Sequence, residues 1–219
     1  MDLTPTSLED FVFEDDATLE LLQNVVPNDN LLPAARVGVL LYGGYGTGKT
    51  TLARLLPDLI ERRRTGISDA ESGYEFVACA SLDGDAAIKR LRSISQLVSL
   101  AKSDLRYFVL DEFDVLTAKA QANFKALMSA TKRSVFILTT NNLHEIDRGV
   151  HDRCWGISMN AASDERWLPA AHQMLQKLGV RDVTDETVMD VLATCKNKSA
   201  RQIVSALQLM AALRSQNAA

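Results

Sequence analysis

The sequence predicts an α/β protein: a five-stranded parallel sheet with helices on both faces, followed by a small all-helical unit. Two observations carry that expectation. From residue 37 to about 159, apolar runs of strand length alternate with segments whose apolar residues recur at helical spacing, and such alternation builds parallel sheets. Beyond about residue 160 the strand-like runs stop and only helical spacing remains. At 219 residues, 47% hydrophobic and 24% charged, the chain has material for one large domain or for a medium domain with a small companion.

Val37-Gly38-Val39-Leu40-Leu41-Tyr42 is the first strand, and Thr51-Leu52-Ala53-Arg54-Leu55-Leu56 opens the helix that follows it. Pro57 falls inside that helix, which therefore either kinks or restarts there. Gly66 to Gly73 reads as a loop. The other strands are expected at Tyr74–Ala80, Tyr107–Leu110, Ser134–Thr140 and Trp155–Met159, with helical patterns around 84–102, 117–130 and 143–151. Ser163 is an N-cap, followed by Asp164 and Glu165 in the first turn and by Trp167, Leu168, Ala171, Met174, Leu175 and Leu178 on one face, with Gly179 closing the helix. Thr184 starts a second helix and Ser199 a third, through Ile203, Leu207 and Met210. The expected division is 1–160 for the sheet domain and 161–219 for the helical one.

A formal charge of −4 and a pI near 5.4 argue against a protein that coats nucleic acid through bulk charge, so any contact with DNA should be focal. Cys79, Cys154 and Cys195 are odd in number and widely spaced, which fits reduced thiols rather than a disulfide framework or a zinc site. The amino-terminal residues lack a basic region with an apolar core, and no apolar run reaches the ~18 residues of a membrane span, so the cytoplasm is the expected compartment.

Gly43-Gly44-Tyr45-Gly46-Thr47-Gly48-Lys49-Thr50 fits G-x-x-x-x-G-K-[ST] between an apolar strand and a helix, the pattern of a loop that cradles the phosphates of a nucleotide. Glycines permit the left-handed curl, and N–H groups at the helix start, where Thr51 follows, favour anionic oxygens. Lys49 is the candidate for the β and γ phosphates and Thr50 for Mg²⁺. A metal also needs a carboxylate, and the strand ending Leu110-Asp111-Glu112 supplies two: Asp111 for Mg²⁺ and Glu112 to polarise the attacking water. Ser134–Thr140 then delivers Asn141 and Asn142 at a carboxyl edge, where ligands of open parallel sheets sit; Asn141 is preferred as the amide near the γ-phosphate, with the register open by one.

Arg153 follows in His151-Asp152-Arg153-Cys154-Trp155. Taken in order, these motifs resemble the sliding-clamp-loader group of AAA+ ATPases, replication factor C small subunits among them. Leu110-Asp111-Glu112-Phe113-Asp114 is more similar still to ATPase subunits of T-even-type phage clamp loaders. The resemblance spans nearly the whole chain, with Asp152 in place of the Ser of the group's Ser-Arg-Cys and Lys198-Ser199 in place of Gly-Asp before the lid arginine. It implies an αβα sandwich with a helical lid. It implies that Phe11 and Val12, in Ser7-Leu8-Glu9-Asp10-Phe11-Val12, lie near the adenine. It also implies that Arg153 is an arginine finger serving the neighbouring subunit's ATP, and that Arg201, in Ser199-Ala200-Arg201-Gln202, senses nucleotide in its own subunit. By residue type alone each arginine reads more often as half of a surface salt bridge.

The function so implied is an Mg²⁺-dependent ATPase subunit of a clamp-loader-like assembly in DNA replication, active as an oligomer, whose partners are neighbouring AAA+ subunits, a sliding clamp and primer–template DNA. Clamp-loader subunits continue into a helical collar that this sequence does not show, which favours the alternative of another client (a helicase, a transposase, a remodelled protein); a non-hydrolysing structural subunit is a third reading, against which the intact Lys49, Asp111 and Glu112 speak. Lys89, Arg90 and Arg92 are the candidates for the DNA backbone, against the alternative of a solvated helix face balanced by Asp83 and Asp85. Ile94, Leu97 and Val98 are candidates for a clamp contact, against core packing at helical spacing.

Overall fold

The strands form one five-stranded sheet, every pair parallel, in the order β2-β3-β4-β1-β5. This is a computed structural model, and it describes residues 3–81, 84–97, 99 and 101–217. The strands are β1 (Gly38–Tyr42), β2 (Tyr74–Ala78), β3 (Arg106–Asp111), β4 (Ser134–Thr140) and β5 (Cys154–Ser158). β4 lies between β3 and β1 and is buried along all its residues, which is why its middle, Val135–Leu138, reads as a continuous apolar run rather than an alternating one. Gly38 is required in β1, because a Cβ there would stand 2.7 Å from the Phe136 carbonyl oxygen and 2.9 Å from Cys154 Sγ. Phe108 stacks on Phe136 at 5.2 Å, Phe124 meets Phe136 edge-on at 5.1 Å, and Phe113 packs on Phe124 at 4.9 Å, so aromatic rings fill the layer between the sheet and α4 (Ala118–Ala130).

The chain leaves β1 toward β2 at one end of the sheet and leaves β4 toward β5 at the other. The carboxyl ends of β1 and β4 are therefore the switch point of the sheet, with β3 on the other side of β4. α1 (Asp16–Val25) precedes the sheet. α2 (Lys49–Thr65) starts directly from the phosphate-loop motif and runs unbroken through the buried Pro57, so the helix does not restart there. α3 (Gly84–Ser95) stops seven residues before the expected end at 102, and β2 gives way at Cys79 to a single 3-10 turn. Helix over 143–151 is replaced by a 3-10 turn at Leu143–Glu145 and a short α5 (Arg148–His151). Asp147 interrupts it: its carboxylate accepts from the N–H groups of Gly149 and Val150 at 2.8 and 3.2 Å and caps α5 anew.

The helical region contains α6 (Asp164–Lys177), α7 (Asp185–Thr194) and α8 (Ala200–Asn217), each of the first two capped by the expected residue, Ser163 and Thr184. Trp167, Ala171, Leu175, Val188, Leu192, Ile203 and Leu207 form its core, with Val12 packed against them. Compact units do not follow a single cut after residue 160. One comprises the chain up to Leu19, Gly44–Gly48 and everything from Met159; the other comprises Glu20–Gly43 and Lys49–Ser158. The amino-terminal segment joins the helices because Arg166 Nε donates to the Phe13 carbonyl at 2.8 Å and Asn160 Nδ2 to Glu14 Oε2 at 3.1 Å. No helix among the described residues is long and apolar enough to cross a membrane.

Candidate active site

The loop leaving β1 uses its glycines for conformation and clearance. Gly46 has φ +74 and Gly48 φ +100, in the left-handed region that a side chain disfavours. A Cβ at Gly46 would stand 3.0 Å from Ser199 Cβ, and one at Gly48 would stand 3.6 Å from the Phe11 ring. Arg201 N–H donates to the Gly46 carbonyl at 3.2 Å, and Thr47 Oγ1 donates to the Gly44 carbonyl at 3.0 Å. Phe11, the loop glycines, Ser199 and Arg201, spread over nearly 200 residues of chain, thus meet in one place. Val12 turns away into the helical core, and Tyr45 stands 79% exposed at the tip.

In the sheet unit, Lys49 is 6% exposed and its Nζ donates to the Gly43 carbonyl at 3.0 Å. Burial pulls its ammonium below the ordinary lysine range, and the carboxylates of Asp111 and Asp114 pull the other way. Thr50 Oγ1 donates to Asp111 Oδ1 at 2.8 Å. Thr139 Oγ1 donates to the same oxygen at 2.6 Å and accepts from the Glu112 N–H at 3.0 Å. Register explains the meeting: Leu110 pairs with Leu138, so Asp111, the last residue of β3, comes level with Thr139, one residue before the end of β4. Glu112 takes φ +55 and ψ +52 and carries its side chain exposed at the edge. Asn141 follows β4 directly and is half-buried; Asn142 is exposed and its N–H donates to Thr140 Oγ1 at 2.9 Å. Thr50 and Asp111 supply the pair of oxygens that could hold a cation, and Thr51 lies in the first turn of α2.

Two residues here were not singled out from sequence. Thr139 organises both carboxylate positions, and its only sequence signal is a hydroxyl at the end of an apolar strand. Asp114 has Oδ1 buried without a hydrogen-bond partner among the described residues and acts on Lys49 through charge. Cys79 lies within reach of the same charges: burial first, then Asp111, Asp114 and Glu112, push its thiol up to about 12, so it is an inert, buried group. Cys154 and Cys195 are likewise free and buried.

Arg153 lies at the opposite edge of the sheet. Its carbonyl accepts from Val37 and Gly38 at the start of β1, one strand length of about 16 Å from the carboxyl ends. Its Nη1 donates to the Gly149 carbonyl at 2.7 Å and its Nε to Ser129 Oγ at 3.1 Å. Lys89, Arg90 and Arg92 are exposed on α3, and Arg90 pairs with Glu75 at 2.7 Å. Asp83 and Val98 lie outside the described residues, as does the side chain of Asp85; Ile94 packs on the core, whereas Leu97 is 65% exposed.

Residues 39–158 match the model of the ATPase family associated with various cellular activities (AAA). The chain is similar to replication factor C small subunit 2 of Pyrobaculum islandicum, with 25% identity over 80% of this chain and 53% of that protein. It is also similar to the replication factor C small subunits of Archaeoglobus fulgidus (25% identity, 95% of this chain, 62% of the relative) and Methanoculleus marisnigri (26%, 96% and 62%). The chain therefore spans about half to three-fifths of the length of these relatives. Among solved structures, the RuvB Holliday junction branch migration motor of Thermotoga maritima superposes with a TM-score of 0.64 at 14% identity, over 95% of this chain and 72% of that one, a likeness of fold.

Proposed function

This chain belongs to the ATPase family associated with various cellular activities (AAA), and on that footing we propose that it is an ATP-hydrolysing, Mg²⁺-dependent subunit of a sliding-clamp-loader-like assembly acting in DNA replication. The observation that carries the chemistry is the Thr50–Asp111–Thr139 junction with Glu112 beside it at the carboxyl edge of the sheet. Thr50 Oγ1 and Asp111 Oδ1 stand 2.8 Å apart, a hydroxyl and a carboxylate oxygen of the hard kind that Mg²⁺ takes, so these residues would suit the ion, Asp111 directly or through water. When bound, Mg²⁺ offsets charge on the β and γ phosphate oxygens.

The chain's own residues supply the rest. N–H groups of residues 44–50 and the start of α2 meet phosphate oxygens, and Lys49 exchanges the Gly43 carbonyl for them. Asp111 keeps its geometry because two hydroxyls hold one of its oxygens. Glu112, fixed by its N–H to Thr139, orients the attacking water and accepts its proton. Asn141 aids that water or the γ-phosphate. Phe11 packs near the base, and Arg201 reads the phosphates of its own subunit. Arg153 faces away from this site in its own chain, so the nucleotide it serves belongs to a neighbouring subunit, across whose seam hydrolysis is completed. Lys89, Arg90 and Arg92 offer a focal basic face to primer–template DNA.

The client rests on relatives named as replication factor C small subunits. ATP turnover measured with primed DNA and a sliding clamp together should exceed that of the protein alone. No increase, with an increase on adding a helicase or transposase instead, overturns clamp loading while leaving the ATPase in place. A Lys49→Ala protein that hydrolyses ATP at the unsubstituted rate overturns this site as the seat of hydrolysis.

A further inference from the structure

The turn that carries the chain from α7 into α8 holds a lysine where the backbone favours glycine. Lys198 has φ +47, in the left-handed region that a side chain occupies at a cost. Its side chain accounts for its presence. Nζ donates to Asp164 Oδ1 and Oδ2 at 2.6 and 2.5 Å, at the first residue of α6, and to the Leu192 carbonyl at 3.1 Å, in the last turn of α7. The pair is sheltered, with 30% of the lysine and 18% of the aspartate side chain exposed, so water screens it less than a surface ion pair. One ammonium thereby ties the start of α6 to the end of α7, two residues before α8 begins.

That anchorage reaches the phosphate loop in two further steps. Ser199, next to Lys198, is 6% exposed and caps α8 by accepting from the Gln202 N–H at 3.2 Å. The first turn of α8 then meets the loop: Arg201 N–H donates to the Gly46 carbonyl, and a Gly46 Cβ would leave Ser199 only 3.0 Å away. Because a peptide group is planar, fixing the Gly46 carbonyl also fixes the direction of the Thr47 N–H, one of the donors that such a loop offers to phosphate.

We propose that Lys198 is a positioning residue for the nucleotide site: bonded to Asp164 and the Leu192 carbonyl, it holds Ser199 and Arg201 against Gly46 and so slows the escape of bound nucleotide. This rests on the phosphate loop binding nucleotide. A loop whose carbonyl is no longer braced must be ordered by the ligand itself, which costs affinity, while bound nucleotide still meets the same hydrolytic groups. The effect therefore falls on retention and KM, not on kcat.

The test measures the dissociation rate and Kd of a fluorescent ATP analogue, together with KM and kcat, for the unsubstituted protein, K198G, D164N, the double variant and K198R. Glycine suits the φ, so K198G removes the ammonium without straining the backbone. K198G and D164N should each release nucleotide about tenfold faster, with KM raised in proportion and kcat within a factor of two, in the range of ordinary couplings between sites. The double variant should be no worse than either single one, and K198R should retain most of the unsubstituted affinity. A K198G protein that keeps the unsubstituted dissociation rate overturns the proposal, as does a double variant whose losses multiply, the mark of two unrelated destabilisations. Failure of the unsubstituted protein to bind the analogue at all overturns the nucleotide reading instead, and this inference with it.

Discussion

Glu112 combines two properties that seldom coincide: it stands exposed, yet its backbone is held at φ +55 and ψ +52, where a residue with a Cβ persists only if its surroundings impose it. Thr139 contributes that constraint, accepting the Glu112 N–H while its own proton goes to Asp111. Glu112→Gln preserves shape and removes the proposed base, so hydrolysis should fall about 10²- to 10⁴-fold with nucleotide affinity retained, as single-turnover and binding measurements would show. Thr139→Val takes away one hydroxyl that serves two partners. It should destabilise the fold by about 1–3 kcal/mol in urea unfolding and lower kcat, whereas Thr139→Ser should restore both. An unaltered kcat in Thr139→Val would separate the hydroxyl from the chemistry.

Among the elements, α5 shows where local sequence reasoning stops. The helical pattern over 143–151 holds apolar residues at suitable positions, but Asp147 bonds forward to Gly149 and Val150, and its carboxylate receives Lys125 Nζ from α4 at 3.0 Å. Gly149 leaves room for that lysine, since a Cβ there would come within 2.5 Å of Lys125 Cδ. The same short helix presents the Gly149 carbonyl to Arg153, so the cap also sets where the guanidinium lies. Burial alone would raise the Asp147 carboxyl, but Lys125 and the two N–H donors outweigh it and hold the group below the usual carboxylate range. A lowered folded value means that its stabilisation is complete above the unfolded value of about 3.9 and fades as pH drops through the folded one. Asp147→Ala should therefore cost about 1 kcal/mol at pH 7, and the gap from the unsubstituted protein should close as both are unfolded in urea at steps down to pH 2. A gap independent of pH would assign the loss to packing.

Across the whole molecule, the decisive distance is one strand length. β1 and β5 run parallel, with Gly38 beside Cys154 at one end and Tyr42 beside Ser158 at the other, so Arg153 and the carboxyl end of β1 occupy opposite edges. A guanidinium cannot span that separation within one chain, and an arginine finger contributes about 10³- to 10⁵-fold to rate. ATP turnover per molecule should accordingly rise with protein concentration, and Arg153→Ala should remain nearly inactive at every concentration. Mixing Arg153→Ala with Lys49→Ala should restore part of the turnover, since each supplies what the other lacks. A dilute monomer hydrolysing at the full rate would contradict the arrangement.

The sheet strands, the phosphate-loop motif and the Asp111-Glu112 pair were all legible in the chain, because apolar periodicity and short motifs are local and survive without their partners. Helix ends at Ser95 and Asp147 were not, since they depend on which side chain captures which backbone group. The roles of Thr139 and Asp114 and the bracing of Lys198 by Asp164 were beyond its reach for a related reason, and the meeting of Phe11, Gly46 and Arg201 was suggested only through family resemblance. Each joins residues distant along the chain, and only packing determines which of many possible pairs of polar groups come within hydrogen-bond range.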